Sequence, residues 1–137
     1  MYKRQDVSRT LVRRVIAASV QARDVLDGMV VGSRAYFAAC AEPAMGRIIL
    51  RDGPAVLGWE RWRQIDSEHF GRMIPVALAA AMDQGLLRRQ PVDPLARLLI
   101  GAVTEAAVAC AASDDPAETG RAHVVALEAV IEGLRVR

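Results

Sequence analysis

Apolar residues recur at helical spacing along almost the whole chain, and proline or glycine breaks the pattern at intervals. The first stripe joins Val7, Leu11, Val15 and Ala18, leaves Arg9, Arg13 and Arg14 mostly off it, and predicts a helix over 6–21. The second joins Leu26, Met29, Val30, Phe37 and Cys40. Asp24 stands where an N-cap belongs, so this helix is expected to run from there to Cys40. A short third helix is expected from Pro43 to Arg51, burying Met45, Ile48 and Ile49 and ending at Asp52-Gly53. The fourth opens at Pro54 and carries Val56, Leu57, Trp59 and Trp62 toward Phe70. Gly71 and Pro75 then interrupt or kink it, since an interior proline costs a helix about 3 kcal/mol. A further helix continues through Ile74, Leu78, Ala81 and Met82 to a stop at Gly85.

The last two predicted helices differ from these. From Pro94 to Ala112 only Arg97 and Glu105 are charged, and small residues are frequent. A helix apolar nearly all round must be covered on several sides. The final helix, from Pro116 to about Arg135, spaces Val124, Leu127, Ile131 and Leu134 by three, four and three, a narrow seam of the kind used in bundles and between subunits. Its start at Asp115-Pro116, with Glu118 three residues on from Asp115, is a carboxylate version of the capping box. No stretch alternates as a strand would. The fold class is therefore all-α, a bundle of about six to seven helices. The last two helices are expected to pair across a two-fold axis through Ala102, Ala106, Ala109, Val124, Leu127, Ile131 and Leu134, making a homodimer.

Composition narrows the function. The chain has 137 residues, one domain's worth, with 53% hydrophobic and 25% charged residues; a disordered chain would be poorer in apolar residues. Aromatics at 4% are too few for a base-stacking platform, and a net charge of +2 is too small for a nucleic-acid polymer binder. Two cysteines are too few for a disulfide scaffold or a zinc cage, which fits a reducing cytoplasm. The apolar run from Leu98 to Ala112 is short for a membrane span and contains Glu105, and no secretory leader opens the chain.

Catalytic chemistry needs converging groups, and few are found. His69 and His123 are the only histidines, and neither has a metal-binding partner four residues away. Gly28 and Gly32 lie inside a helical pattern without the strand that a phosphate loop requires. Cys40 and Cys110 have no neighbouring base. The expectation is no catalytic residues, no metal and no cofactor. Two features stand out instead. Trp59 and Trp62, three residues apart, put two large flat surfaces on one helix face. Thr104 and Glu105 are polar on an otherwise apolar helix, where a buried carboxylate would need a partner or a ligand. These two features suggest a small-molecule site walled by Tyr36, Met45, Trp59, Trp62 and Met73, with Thr104 and Glu105 as polar anchors. A solid core built from the same residues is the alternative.

The stretch Asp52-Gly53-Pro54-Ala55-Val56-Leu57-Gly58-Trp59-Glu60-Arg61-Trp62-Arg63 resembles one typical of a subgroup of TetR-family transcriptional regulators. The likeness extends to Tyr36–Cys40, to Gln90–Ala96 and to Thr104–Ala107, and covers nearly everything from Val7 to Leu134. What the chain resembles is the C-terminal regulatory domain alone, a helical unit that binds effectors and dimerises. The resemblance implies a ligand-responsive repressor whose partners are a second copy and a small, apolar organic effector. DNA would be read only by a helix-turn-helix domain placed before residues 6–21, with no role for a membrane. Met1-Tyr2-Lys3-Arg4-Gln5 holds the chain's one lysine and resembles the translation of a transposase adapter end used in sequencing libraries. On that reading residues 1–5 are foreign, residues 6–137 form the single domain, and the regulator is truncated. A stand-alone helical binding and dimerisation module is the other reading.

Overall fold

The structure, a computed structural model, describes residues 13–44 and 72–137. Residues 13–19 form α1, Val25–Ala41 α2, Met73–Asp83 α3, Val92–Ala112 α4 and Pro116–Leu134 α5. There is no strand among the described residues; one isolated bridge pairs Leu87 with Arg135. The fold is thus the expected all-α class, with five described helices against six or seven expected. The predicted short third helix, beyond Pro43 and Ala44, and the tryptophan helix lie outside the described residues.

Local chemistry sets the helix ends. Asp24 caps α2 by accepting the Asp27 backbone N–H at 2.8 Å. Asp115 caps α5 by accepting from the Glu118 N–H at 3.3 Å. The reciprocal half of that capping box is not made: the Glu118 carboxylate accepts from Arg121 instead, and the Asp115 N–H donates to Ser113 Oγ. At the end of α3, Gly85 adopts φ +77°, the left-handed conformation that glycine tolerates best. The Leu86 N–H then reaches the Ala81 carbonyl and the Gly85 N–H the Met82 carbonyl, the paired bonds of a Schellman stop. α4 begins at Val92 rather than Pro94. Proline fits at its third position because an N–H there has no partner within the helix.

The earlier start makes α4 21 residues long, enough by length and composition to cross a membrane. Here it packs into the bundle, turning Leu95, Leu99, Ala106 and Cys110 inward. α2 lies at the centre and packs against α3, α4 and α5, while α4 also packs against α3 and α5. Phe37 and Leu26 of α2, Leu78 of α3, Cys110 of α4 and Ile131 of α5 are essentially removed from solvent in one core. Cys40 and Cys110 are both buried, and burial pushes the Cys110 thiol up.

One ion pair joins distant parts of the chain. Arg135, just after α5, donates from both Nη atoms to the two oxygens of Asp24 at 3.0 Å, while its Nε donates to Glu132 at 2.9 Å. These hydrogen bonds hold the Asp24 carboxyl below its usual 3.8, the side-chain bond from Arg135 contributing most, followed by the Asp27 N–H. A carboxyl lowered in the folded state stabilises above its unfolded pKa, and the contribution is lost as pH falls through the folded value. Asp24→Asn keeps a capping side chain but removes this charge. We expect it to be less stable than wild type at pH 7, by an amount within the 0.5–3 kcal/mol typical of contacting pairs. Urea melts should show that gap narrowing as pH is lowered from about 5 toward 2; a gap independent of pH would refute the assignment.

Candidate functional site

α1, α2, α3 and α4 line a half-open cavity of about 550 Å³. α1 contributes Val15 and Ser19, and α2 contributes Gly28, Met29, Gly32, Ser33 and Tyr36. Met73, Ile74 and Ala77 of α3 and Ile100, Val103 and Thr104 of α4 also line it. At one end stand Arg23, Asp24 and Gln84. The volume is that of a small-molecule site rather than a packing defect.

Sequence spacing explains the wall. Gly28 and Gly32 are one helical turn apart on the face of α2 that meets α1. A Cβ on Gly32 would lie 2.9 Å from Val15 Cγ1 and 3.1 Å from Ser19 Oγ, so the bare backbone is what lets α1 lie this close. Ser19 Oγ sits 2.7 Å from the Val15 carbonyl and 3.3 Å from the Gly28 carbonyl, and its single proton can go to either. The buried Tyr36 ring is stacked beside Phe37, with centroids 6.2 Å apart.

Among the described residues, the polar groups of the helical wall are hydroxyls: Ser19, Ser33, Tyr36 and Thr104. Charged side chains among its described residues occur only at the rim, and both are paired. Arg23 faces Asp27 at 3.6 Å, and Asp24 is held by Arg135. The Arg23 backbone N–H, and then its side chain, hold the Asp27 carboxyl below its usual range. Such a wall suits an uncharged, mostly apolar molecule with a few hydrogen-bonding groups. No group of three or more His, Cys, Asp or Glu side chains able to hold a metal occurs among the described residues. His123 lies away from the cavity, with Nδ1 2.8 Å from the Thr119 carbonyl and its ring edge-on to Phe37.

Of the residues singled out from sequence, Tyr36, Met73 and Thr104 meet in this wall. Glu105 does not: it is exposed and lies outside the lining, on the outward strip of α4 with Leu98, Ala102 and Ala109. Met45, Trp59 and Trp62 lie outside the described residues. Among the expected dimer contacts, Ala106, Val124 and Ile131 are buried in the protomer's own core, and Leu127 and Leu134 pack against it. Ala102 is exposed and Ala109 half-buried. Sequence reasoning missed Ser19, Ser33, Gly28 and Gly32. The signal was present in the last two, a glycine pair one turn apart within an apolar helix.

Residues 26–134 match the family described as tetracyclin repressor-like, C-terminal domain. Among solved structures, the chain is similar to a TetR-family transcriptional regulator from Pectobacterium atrosepticum. The two share 29% identity with a TM-score of 0.82, over 97% of this chain and 68% of that one. No curated protein matches the chain.

The two glycines provide an internal comparison. A Cβ on Gly28 would meet Ala22 Cβ at 3.7 Å, an ordinary contact. Gly28→Ala should therefore stabilise by up to about 1 kcal/mol through helix propensity. Gly32→Ala gains the same propensity but must displace Val15, and overpacking costs about 1–3 kcal/mol. Thermal melts should rank Gly28→Ala above wild type and Gly32→Ala below Gly28→Ala. Equal melting of the two variants would mean that α1 does not rest on Gly32.

Proposed function

The chain belongs to the tetracyclin repressor-like C-terminal domain family, and from that premise we propose that it is the effector-binding and dimerisation domain of a ligand-responsive transcriptional regulator. The observation that carries this reading is the cavity of about 550 Å³ between α1 and α4, apolar in its walls and set with hydroxyl groups. A structural domain of this size would fill such a space, since protein interiors are packed to crystal density. The effector we propose is a small, uncharged, mostly apolar organic molecule, and the setting a cytoplasmic, non-enzymatic regulator. DNA reading is assigned to a region outside this chain, equivalent to the part of the Pectobacterium regulator, about a third, that the match leaves uncovered. A net charge of +2 supports that division, because phosphate neutralisation by this domain alone would be weak at ordinary salt.

Dimerisation we assign to the outward strips of the last two helices. On α4 these are Leu98, Ala102 and Ala109 around Glu105; on α5 they are Val125 and Ala129. Leu98 is 72% exposed and Val125 69% exposed, large apolar side chains in water on these strips. The seam Val124–Leu134 serves instead to close that core.

Differential scanning of the protein with a panel of neutral aromatic and aliphatic compounds tests the ligand reading. An effector at 100 times its Kd should add about 2.7 kcal/mol, a shift of several degrees in Tm; no stabilising compound across the panel counts against it. Light scattering tests the dimer. Leu98→Glu with Val125→Glu should give a monomer, while Val20→Glu, at an exposed position just beyond α1, should leave the dimer intact. A double variant that stays dimeric would exclude these strips as the interface.

A further inference from the structure

Arg135 and Val136 bond to two segments that each contribute a residue to the cavity lining. Asp24 and Gln84 are rim residues on two separate segments, the turn between α1 and α2 and the cap of α3. On the first side, Arg135 grips Asp24 through two hydrogen bonds of 3.0 Å. On the second, the Val136 N–H donates to the Leu86 carbonyl at 2.9 Å, and Arg135 pairs with Leu87 across an isolated bridge. Leu87 is 1% exposed and anchored in the core, and the Leu86 N–H closes the α3 stop that precedes it.

We propose that Arg135 and Val136 act as a strap that fixes the spacing between the Asp24 and Gln84 sides of the rim, with Arg135 as the positioning residue that governs ligand entry and release. This rests on the reading of the cavity as a ligand site. The guanidinium suits this role because its planar fork meets both carboxylate oxygens at once, which fixes orientation as well as distance. Its Nε bond to Glu132 aims that fork from the last turn of α5. Side chains only 20% and 26% exposed make the Asp24 pair less screened than a surface ion pair. Asp24 also caps α2, so loosening the strap frees the turn that carries Arg23, Asp24 and Val25 along the rim. The strap touches no ligand itself; it acts by keeping two ligand-facing segments at one separation.

The test uses N-phenyl-1-naphthylamine, a neutral fluorophore that brightens in apolar surroundings, with stopped-flow binding and amide hydrogen exchange on the same proteins. Arg135→Gln and Asp24→Asn should each raise the probe's dissociation rate at least fivefold. In Arg135→Gln the Val136 amide should also lose protection. Glu132→Gln removes the charge but keeps an acceptor for Arg135 Nε and leaves the Asp24 pair, and should stay within twofold of wild type. Arg135→Lys keeps the charge without the fork and should fall between wild type and Arg135→Gln; if Arg135→Gln does not fold, Arg135→Lys and Asp24→Asn carry the test. Probe kinetics unchanged in Asp24→Asn and Arg135→Lys would overturn the strap while leaving the cavity reading intact. Faster release with the Val136 amide still fully protected would overturn it as well. A wild-type protein that takes up neither this probe nor any panel compound would instead remove the cavity reading, and the strap with it.

Discussion

A helix with apolar residues on several faces can meet water on few of them, and α2 is such a helix. Leu26, Val30, Gly32, Ser33, Tyr36, Phe37, Ala39 and Cys40 are all buried, more than one stripe of a helix can supply. The bundle is arranged around that constraint. α5 covers the Phe37 side, where Gly120 and His123 receive the ring, and α3 and α4 cover others. α1 covers the glycine face. α3, α4 and α5 each supply several buried residues to the core, whereas Val15 alone does so among the described residues of α1. α1 meets α2 across Gly32, and among the described residues of α1 Val15 and Ser19 line the cavity beside it.

This difference between covers accounts for the cavity without any special device. Large side chains interlock, and interlocked layers leave little room for a ligand. A glycine contact brings two backbones together along a line while supplying no volume to fill the flanking space. The surrounding residues include the adaptable Met29 and Met73 beside the stiffer Ile74, Ile100 and Val103, together with hydroxyls that can both donate and accept. A wall of this kind can close on molecules of different outline, and its apolar surface rewards any that exclude water.

Much of this is legible in the sequence, and the exceptions share a cause. Caps and stops are local chemistry, so Asp24, Asp115 and Gly85 can be read directly from residue type and spacing. The glutamate and the seam depend instead on which way a helix faces. α4 is apolar nearly all round, so periodicity does not distinguish its inner face from its outer one. Glu105 therefore reads as a site residue from sequence, although it stands on the outward strip. On α5 the spacing of Val124, Leu127, Ile131 and Leu134 does identify a packing seam. It cannot say whether the covering helix comes from the same chain, and α2 supplies that cover. The glycine pair illustrates a third kind of loss. Measured against a phosphate loop, Gly28 and Gly32 fail, and their value as a close-approach face emerges only when α1 is seen lying on them.

The same geometry explains why the far end of the chain matters to the near end. α1 meets α2 through the Gly32 contact, the Ser19 hydroxyl and the Arg14–Glu42 ion pair, and the turn between them has little hydrophobic anchorage of its own; Val20 beside it is 77% exposed. A turn so weakly buried should open more readily than the core, yet it carries the residues at one end of the cavity. Fixing it requires an attachment to something well anchored. α5 provides this, because Ile131 is 1% exposed and the helix runs from that point directly to Arg135. Directional polar bonds serve better here than more apolar packing. Added apolar packing would have to fill the cavity, whereas a bidentate pair ties the turn from outside and leaves the interior empty. An open cavity and a fixed rim are therefore compatible in so small a bundle because the rim is held by charge and the core by packing.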